Sequence, residues 1–215
     1  MNKYKLIIFD MDGTIIKDRG IFVIAEKLNF KKELLRLINY DGIEFYKKSI
    51  EIAKLTKGLK EKDLLDIFKK IPFHDNLEEV IIKIKDNNIN TAIATDSYYF
   101  LANFLKQKLK IDYVFANNLI IKDGIITGNL EIHNKKLIKD FYSGKIYSIC
   151  KSYVLEQLCK KLKISTEESI AIGDGKVDIG MIKKAGLGIA FNASLEVQQN
   201  SNVITNNMEK LLEYI

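Results

Sequence analysis

Leu6-Ile7-Ile8-Phe9-Asp10-Met11-Asp12-Gly13-Thr14 is the stretch on which the fold turns. Four consecutive apolar residues, stopped abruptly by polar ones, read as a short strand buried on both faces. The run ends at two carboxylates two residues apart. Gly13 then allows a tight turn that brings backbone N–H groups close to an anion. The same design recurs downstream: Thr91-Ala92-Ile93-Ala94 ends at Thr95, Ser169-Ile170-Ala171-Ile172 at Gly173-Asp174, and Gly188-Ile189-Ala190-Phe191 at Asn192. Tyr113-Val114-Phe115 is a shorter run of this kind. Amphipathic helices separate the runs. Leu77, Val80, Ile81 and Ile84 follow helical spacing, with Asp75 or Asn76 as a cap and Glu78 and Glu79 in the first turn. Ser152 opens another helix, bearing Leu155, Leu158, Cys159 and Leu162. Strand and helix in alternation predict an α/β fold: a Rossmann-like, mostly parallel sheet sandwiched by helices, with ligands bound outside the carboxyl ends of its strands.

Two segments break the alternation. Between about Ile16 and Ile71 there is no parallel strand; apolar residues such as Leu34, Leu35, Ile38, Ile50 and Leu55 have a helical character. This predicts a small inserted helical cap over residues 16–72, with residues 1–15 and 73–215 forming the catalytic core. Pro72 marks the return of the chain to the sheet. The second segment runs from about Ile120 to Cys150, where Asp123-Gly124 between apolar runs predicts a β-hairpin flap.

Composition bounds the function. The chain has 215 residues, 47 % of them hydrophobic, enough for one large domain carrying a smaller insert. Its formal charge is +6, but the lysines are scattered and no basic stripe is interleaved with aromatics, which argues against nucleic acid as a partner. No apolar run has signal-peptide or membrane-spanning length, so the expectation is a cytoplasmic protein with no membrane partner. Cys150 and Cys159 form no disulfide or metal framework, and Cys159 falls on the apolar face of its helix. Oligomeric state is not legible.

The chemistry lies in the acids at the strand ends. Asp10 can act as a nucleophile and Asp12 can handle protons. In isolation the pair would also fit an ordinary Asp-Gly turn. Gly173-Asp174-Gly175-Lys176-Val177-Asp178 repeats the theme, and Asp174 with Asp10 offers the carboxylate oxygens that a hard cation such as Mg²⁺ prefers. Thr95 could donate a hydroxyl to a phosphoryl oxygen, and Lys151 could neutralise charge on a transferring group.

Taken in order, Asp10, Asp12 and Thr14, then Thr95, then Lys151, then Gly173, Asp174 and Asp178, resemble the motifs of the haloacid dehalogenase-like superfamily, and within it the phosphoserine phosphatase-like group. The likeness covers most of the core and is faint only in the cap. It implies a Mg²⁺-dependent phosphatase acting on a small-molecule phosphate monoester through an aspartyl-phosphate. Asp10 would be the nucleophile and Asp12 the general acid and base. The metal would be held by Asp10, Asp174 and the Asp12 carbonyl, with Asp178 in support. Gly13, Thr14, Thr95, Asp96 and Lys151 would bind the phosphoryl group. A phosphotransferase or mutase using the same phospho-aspartate is the alternative, as is a phosphoserine phosphatase proper.

The departures concern the substrate alcohol. The group's ammonium-binding glutamate corresponds to Arg19, and its carboxylate-binding cap arginine to Ile52. Thr95-Asp96 replaces a Ser-Gly pair, Lys176-Val177 replaces Ala-Asn, and the segment from Thr127 to Lys151 is longer. An insertion could bring Glu26 or Arg36 to the pocket instead. Arg19 and Lys176 are therefore specificity candidates, Arg19 for a second anionic group, and the expected substrate is a phosphorylated sugar or organic acid rather than phosphoserine.

Overall fold

The computed structural model describes residues 3–215; Met1 and Asn2, with which the expected core begins, lie outside the described residues. Seven strands form one sheet in the order β4-β3-β2-β1-β5-β6-β7. They are β1 (Leu6–Phe9), β2 (Asn90–Tyr98), β3 (Tyr113–Lys122), β4 (Ile125–Glu131), β5 (Ser169–Gly173), β6 (Leu187–Phe191) and β7 (Val203–Thr205). All neighbours run parallel except the β3–β4 hairpin, which turns at Asp123-Gly124, where both residues have positive φ. β1 sits between β2 and β5, so the chain builds one side of the sheet through β2 to β4 and the other through β5 to β7. That reversal opens a crevice at the carboxyl ends of β1 and β5, where doubly wound sheets bind ligands.

Nine α-helices complete the described fold: α1 (Gly20–Lys27), α2 (Lys31–Ile38), α3 (Phe45–Leu55), α4 (Glu61–Phe68), α5 (Leu77–Asp86), α6 (Tyr99–Leu109), α7 (Lys151–Leu162), α8 (Ile179–Lys184) and α9 (Leu195–Gln198). Ile7 and Phe9 pack into one apolar layer with the buried faces of α5 and α6, while Leu6 and Ile8 pack into the other with α7. Alternate residues of β1 thus feed opposite layers, as the pleat requires. Each such side chain, fully removed from water, contributes roughly 1.5–3 kcal/mol. On α5 the four apolar residues read from the periodicity are all buried. Its side-chain cap is absent, however. Asn76 holds the N-cap position with φ 61°, and its side chain makes no bond to the helix. Side-chain capping uses an extended N-cap backbone, and the left-handed one at Asn76 does not supply it. Asp75 pairs outward with Lys17 at 2.7 Å. Ser152 likewise does not open α7, which starts one residue earlier at Lys151.

Helices α1 to α4 all fall between β1 and α5. The chain leaves and rejoins the sheet side by side: Ile16 bridges Phe73, and Lys17 N–H donates to the Pro72 carbonyl at 2.9 Å. Beyond this neck, the turn between α3 and α4 is stitched to the hairpin. Gly58 N–H donates to Ile126 O at 2.8 Å, Ile126 N–H to Leu59 O at 2.9 Å, and Glu61 N–H to Gly124 O at 2.9 Å. On α2, Leu34 is buried while Leu35 faces outward. Among the described residues no helix is long and apolar enough to cross a membrane.

Candidate active site

Asp10 follows β1 directly, and its N–H donates to Ile172 O of β5 at 2.9 Å, so its position is tied to the centre of the sheet. Asp178 comes from the 3-10 turn Lys176–Asp178 after β5, where its Oδ2 accepts from Gly175 N–H at 2.9 Å. Gly173 is the residue that lets this turn close: a Cβ there would lie 2.5 Å from the Asp178 carboxylate carbon. Lys151, the first residue of α7, is 1 % exposed. Its ammonium donates to Asp10 Oδ1 and, at 2.5 Å, to Asp178 Oδ1. Burial would lower the lysine pKa, but the two carboxylates outweigh it and hold the ammonium charged.

Carboxylate oxygens of Asp10, Asp174 and Asp178 lie within 4.8 Å of one another. Burial, then the charge of Asp178, push both Asp10 and Asp174 above the usual carboxylate range. Three converging carboxylates against one ammonium leave an excess of negative charge, and the donors are all oxygen. A hard divalent cation of the Mg²⁺ type fits such a set. Gly13 has φ +82°, and a Cβ there would sit 2.5 Å from Asp174 Oδ2, so the bare backbone of the Gly13 turn packs directly on that carboxylate. His74 braces the turn from behind: its Nε2–H donates to Gly13 O at 3.0 Å, and its ring meets Phe191 edge-on. Burial lowers the His74 pKa, consistent with a neutral ring. Thr14 is fully buried, and its Oγ1 has no partner among the described residues.

Asp12 points toward the helical insert. Its Oδ1 accepts from Gly20 N–H, the first amide of α1, at 2.5 Å. Burial raises its pKa and the Gly20 bond lowers it; the result is a carboxyl pushed up to about 7. A group titrating there can both give and take a proton near neutrality.

Thr95 does not end β2. The strand continues to Tyr98, but its register against β3 slips between Ala94 and Tyr98, which pair with Phe115 and Asn117. The extra residues bulge at Thr95, Asp96 and Ser97, and a bulge beside a site re-aims its side chains. Thr95 is buried with its Oγ1 accepting from Ser97 N–H at 3.1 Å, whereas Asp96 is exposed at the crevice. Asn117 fixes the bulge by donating to Asp96 O at 2.6 Å.

A cavity of about 600 Å³ opens on these acids. Asp10, Asp12, Asp174 and Asp178 form its floor, and Arg19, Asp96 and Lys176 line it as well; Gly13, Thr14, Thr95 and Lys151 do not reach its wall. Lys176 is paired with Glu196 at 2.5 Å. Of the cap residues weighed from sequence, Ile52 lines the cavity, while Glu26 and Arg36 do not. The remaining wall was missed by the sequence reading: Phe22 of α1, Phe45 and Lys48 of α3, Leu130 of β4, and Tyr147 and Ser148 of the segment before α7. Phe22, Phe45 and Lys48 carry only a helical periodicity, which does not distinguish packing on a core from facing a cavity, and Leu130, Tyr147 and Ser148 reach the wall through tertiary contacts with no local signal.

Three comparisons bear on this geometry. The family model described as haloacid dehalogenase-like hydrolase matches residues 4–186. The chain is 31 % identical to a phosphoserine phosphatase of Methanocaldococcus jannaschii, over 99 % of this chain and 98 % of that one. It is 32 % identical to a phosphoserine phosphatase of Idiomarina loihiensis, over 96 % and 91 % of the two chains. A substrate-bound phosphoserine phosphatase complex superimposes with a TM-score of 0.84 at 29 % identity, covering all of both chains. A phospho-aspartyl intermediate analogue of phosphoserine phosphatase does so with 0.82 at 29 % identity, over 99 % of each.

Proposed function

The chain belongs to the haloacid dehalogenase-like hydrolase family, and from that premise we propose that it is a phosphatase in which Asp10 accepts the phosphoryl group of a small phosphate monoester. The observation that carries this reading is the meeting of Asp10 and Asp12, one buried against Lys151 and one bonded to the first amide of α1, on the floor of a single cavity. An Asp10 carboxylate oxygen attacks phosphorus as the ester oxygen leaves, and Asp12 gives that oxygen its proton. Asp12 then takes a proton from water, whose oxygen attacks phosphorus, releases phosphate and frees Asp10. Lys151 holds the Asp10 carboxylate in place and offsets charge on the phosphoryl oxygens, with the Thr95 hydroxyl and the Gly13–Thr14 turn as the further donors of this reading. Asp10, Asp174 and the Asp12 carbonyl are the groups that would hold Mg²⁺, with Asp178 behind them. The ion, when bound, supplies charge neutralisation between carboxylate and phosphate.

Residues 16–72 act in this reading as a cap over a core of 1–15 and 73–215. Support comes from the paired neck at Ile16 and Phe73 and from the Gly20–Asp12 bond, which makes proton handling depend on the seating of α1.

The substrate is a small phosphate ester other than phosphoserine. Arg19 lines the cavity and would repel a substrate ammonium, and Ile52 offers no charge to a carboxylate. Phosphoserine itself is the second reading, favoured by the names of the relatives. Steady-state kinetics with Mg²⁺ on a panel of sugar phosphates, organic acid phosphates and phosphoserine separates the two. We expect phosphoserine to trail the best ester by about a hundredfold, the scale of one like-charge contact in a partly desolvated cleft. Phosphoserine emerging with the highest kcat/KM would overturn this choice.

A further inference from the structure

A chain of hydrogen bonds in the cavity wall ends in an unused proton. Asn117 of β3 is buried, and every polar atom of its side chain is engaged. Its carbonyl accepts from His133 N–H at 2.9 Å, and its amide donates to Asp96 O at 2.6 Å and to Ser148 Oγ at 2.9 Å. The two backbone partners fix which way the amide points. Ser148 Oγ lies 3.1 Å from Ser49 Oγ of α3, and neither hydroxyl has a further partner among the described residues. Two hydroxyls hold two protons, and the bond between them uses one. Asn117 brings Ser148 a donor, so the second proton has no acceptor, whichever serine donates within the pair. Both serines line the catalytic cavity, Ser148 being 1 % exposed and Ser49 half-buried. A donor left unmatched at such a site is costly unless a ligand meets it.

Asp96 supplies the complementary half. It lines the same cavity, and its carboxylate makes no hydrogen bond or ion pair among the described residues. Asn117 bonds both the Asp96 carbonyl and Ser148, so an acceptor and a donor are fixed on either side of one residue. A hydroxyl is the small group that uses both, accepting from a serine and donating to a carboxylate. An anionic group would meet the Asp96 charge, and an alkyl chain would leave both unmatched. The junction that brings the serines together is firmly seated: Tyr46 N–H donates to Ile146 O at 3.1 Å, and the Phe45 and Tyr147 rings meet edge-on at 5.3 Å.

We propose that the Ser49–Ser148 pair and Asp96 bind a hydroxyl group of the substrate, so that the ester hydrolysed carries a free hydroxyl on its alcohol part, as the monophosphate of a polyol or sugar does. This rests on the phosphatase reading and names its substrate class. Ser148 belongs to the lengthened segment before α7 and Ser49 to the helical insert, so the site exists only where the two meet. A purely structural role for the pair, bridging insert to core, predicts a loss that falls equally on all esters.

The test compares esters matched except for their hydroxyls: glycerol 3-phosphate against propyl phosphate, and glucose 6-phosphate against tetrahydropyran-2-ylmethyl phosphate, each with Mg²⁺. The parent protein should favour at least one hydroxylated partner by roughly ten- to hundredfold in kcat/KM, mainly through KM. Ser49→Ala and Ser148→Ala each leave one free proton, and each should keep part of that ratio. The Ser49→Ala, Ser148→Ala double variant should bring the ratio to within a few-fold of one. Thermal unfolding checks that it is folded. If it is not, the Ser49→Ala, Ser148→Cys variant, which keeps the volume but only a weak donor, carries the comparison. No preference in the parent protein, a ratio unchanged in the double variant, or a ratio lost completely in both single variants overturns the inference while leaving the phosphatase intact. Failure of the parent protein to hydrolyse any of the four overturns the phosphatase reading and this inference with it.

Discussion

Gly13 shows how much of the proposed chemistry rests on one missing side chain. Its backbone is left-handed, which costs a residue with a Cβ about 1 kcal/mol. A Cβ would also press on Asp174. Gly124 in the hairpin turn has nearly the same φ, +73°, and nothing within 4 Å of a built Cβ. The two glycines separate strain from displacement. Gly13→Ala should lose about 1–2 kcal/mol of stability and at least tenfold in kcat/KM, because the Asp174 carboxylate must move. Gly124→Ala should lose comparable stability and keep its turnover. Equal activities for the two variants, measured beside their thermal unfolding curves, would show that the Gly13 contact does not matter. At this scale the acids were legible because each stands at the end of an apolar run, where a carboxylate has no packing role. Lys48 and His74 were not. One buried lysine cannot be told by sequence from the many exposed ones, and His74 acts through a backbone carbonyl 61 residues away and a ring contact with Phe191, both tertiary.

Elements place those residues, and β2 is the one whose seating is most exposed to test. Asp112, just before β3, accepts from Thr91 N–H at 2.8 Å and Thr91 Oγ1 at 2.9 Å, and pairs with Lys85 of α5 at 2.7 Å. It ties the start of β2, the start of β3 and a helix together. Burial opposes its charge, but the bonds from Lys85 and Thr91 outweigh burial and hold its pKa below the usual carboxylate value. A group with a depressed folded pKa stabilises fully above its unfolded pKa, near 3.9, and loses that contribution as pH falls through the folded value. Asp112→Asn should therefore cost roughly 1–2 kcal/mol at pH 7, and the difference from the parent protein should shrink below about pH 4. A difference that stays constant from pH 7 to pH 3 in denaturant titrations would contradict the assignment. The strands themselves were readable as apolar runs, and the hairpin as Asp-Gly. The bulge at Thr95 to Ser97 was not, since it depends on register against β3 rather than on local composition. Strand β7 has only three residues, too few to show a pattern. The segment before α7 was seen as extra length, but its contacts with α3 are tertiary and carry no local signal.

On the scale of the whole molecule, the sheet order explains why acids from distant parts of the chain meet. β1 and β5 are adjacent although about 160 residues apart, because the chain completes one side of the sheet before starting the other. Asp10 and Asp174 thereby share one crevice, and the helical insert and hairpin roof it with Lys48, Phe45 and Leu130. The alternation of strands and helices made this architecture legible; the closure of the roof was not, because it is made of backbone bonds between the α3–α4 turn and β4. Phosphorylation of Asp10 is the central step of the proposed reaction. Asp12→Asn should slow hydrolysis of the intermediate more than its formation from an ester with a good leaving group, so the phosphoryl enzyme should accumulate. The measurement is acid quench of that variant with Mg²⁺ and an aryl ester labelled in its phosphoryl group, followed by proteolysis and mapping of the label. Label is expected on the peptide containing Asp10 and should be lost in the Asp10→Asn, Asp12→Asn double variant. Label on another residue, or turnover of the parent protein that persists in Asp10→Asn, would contradict it.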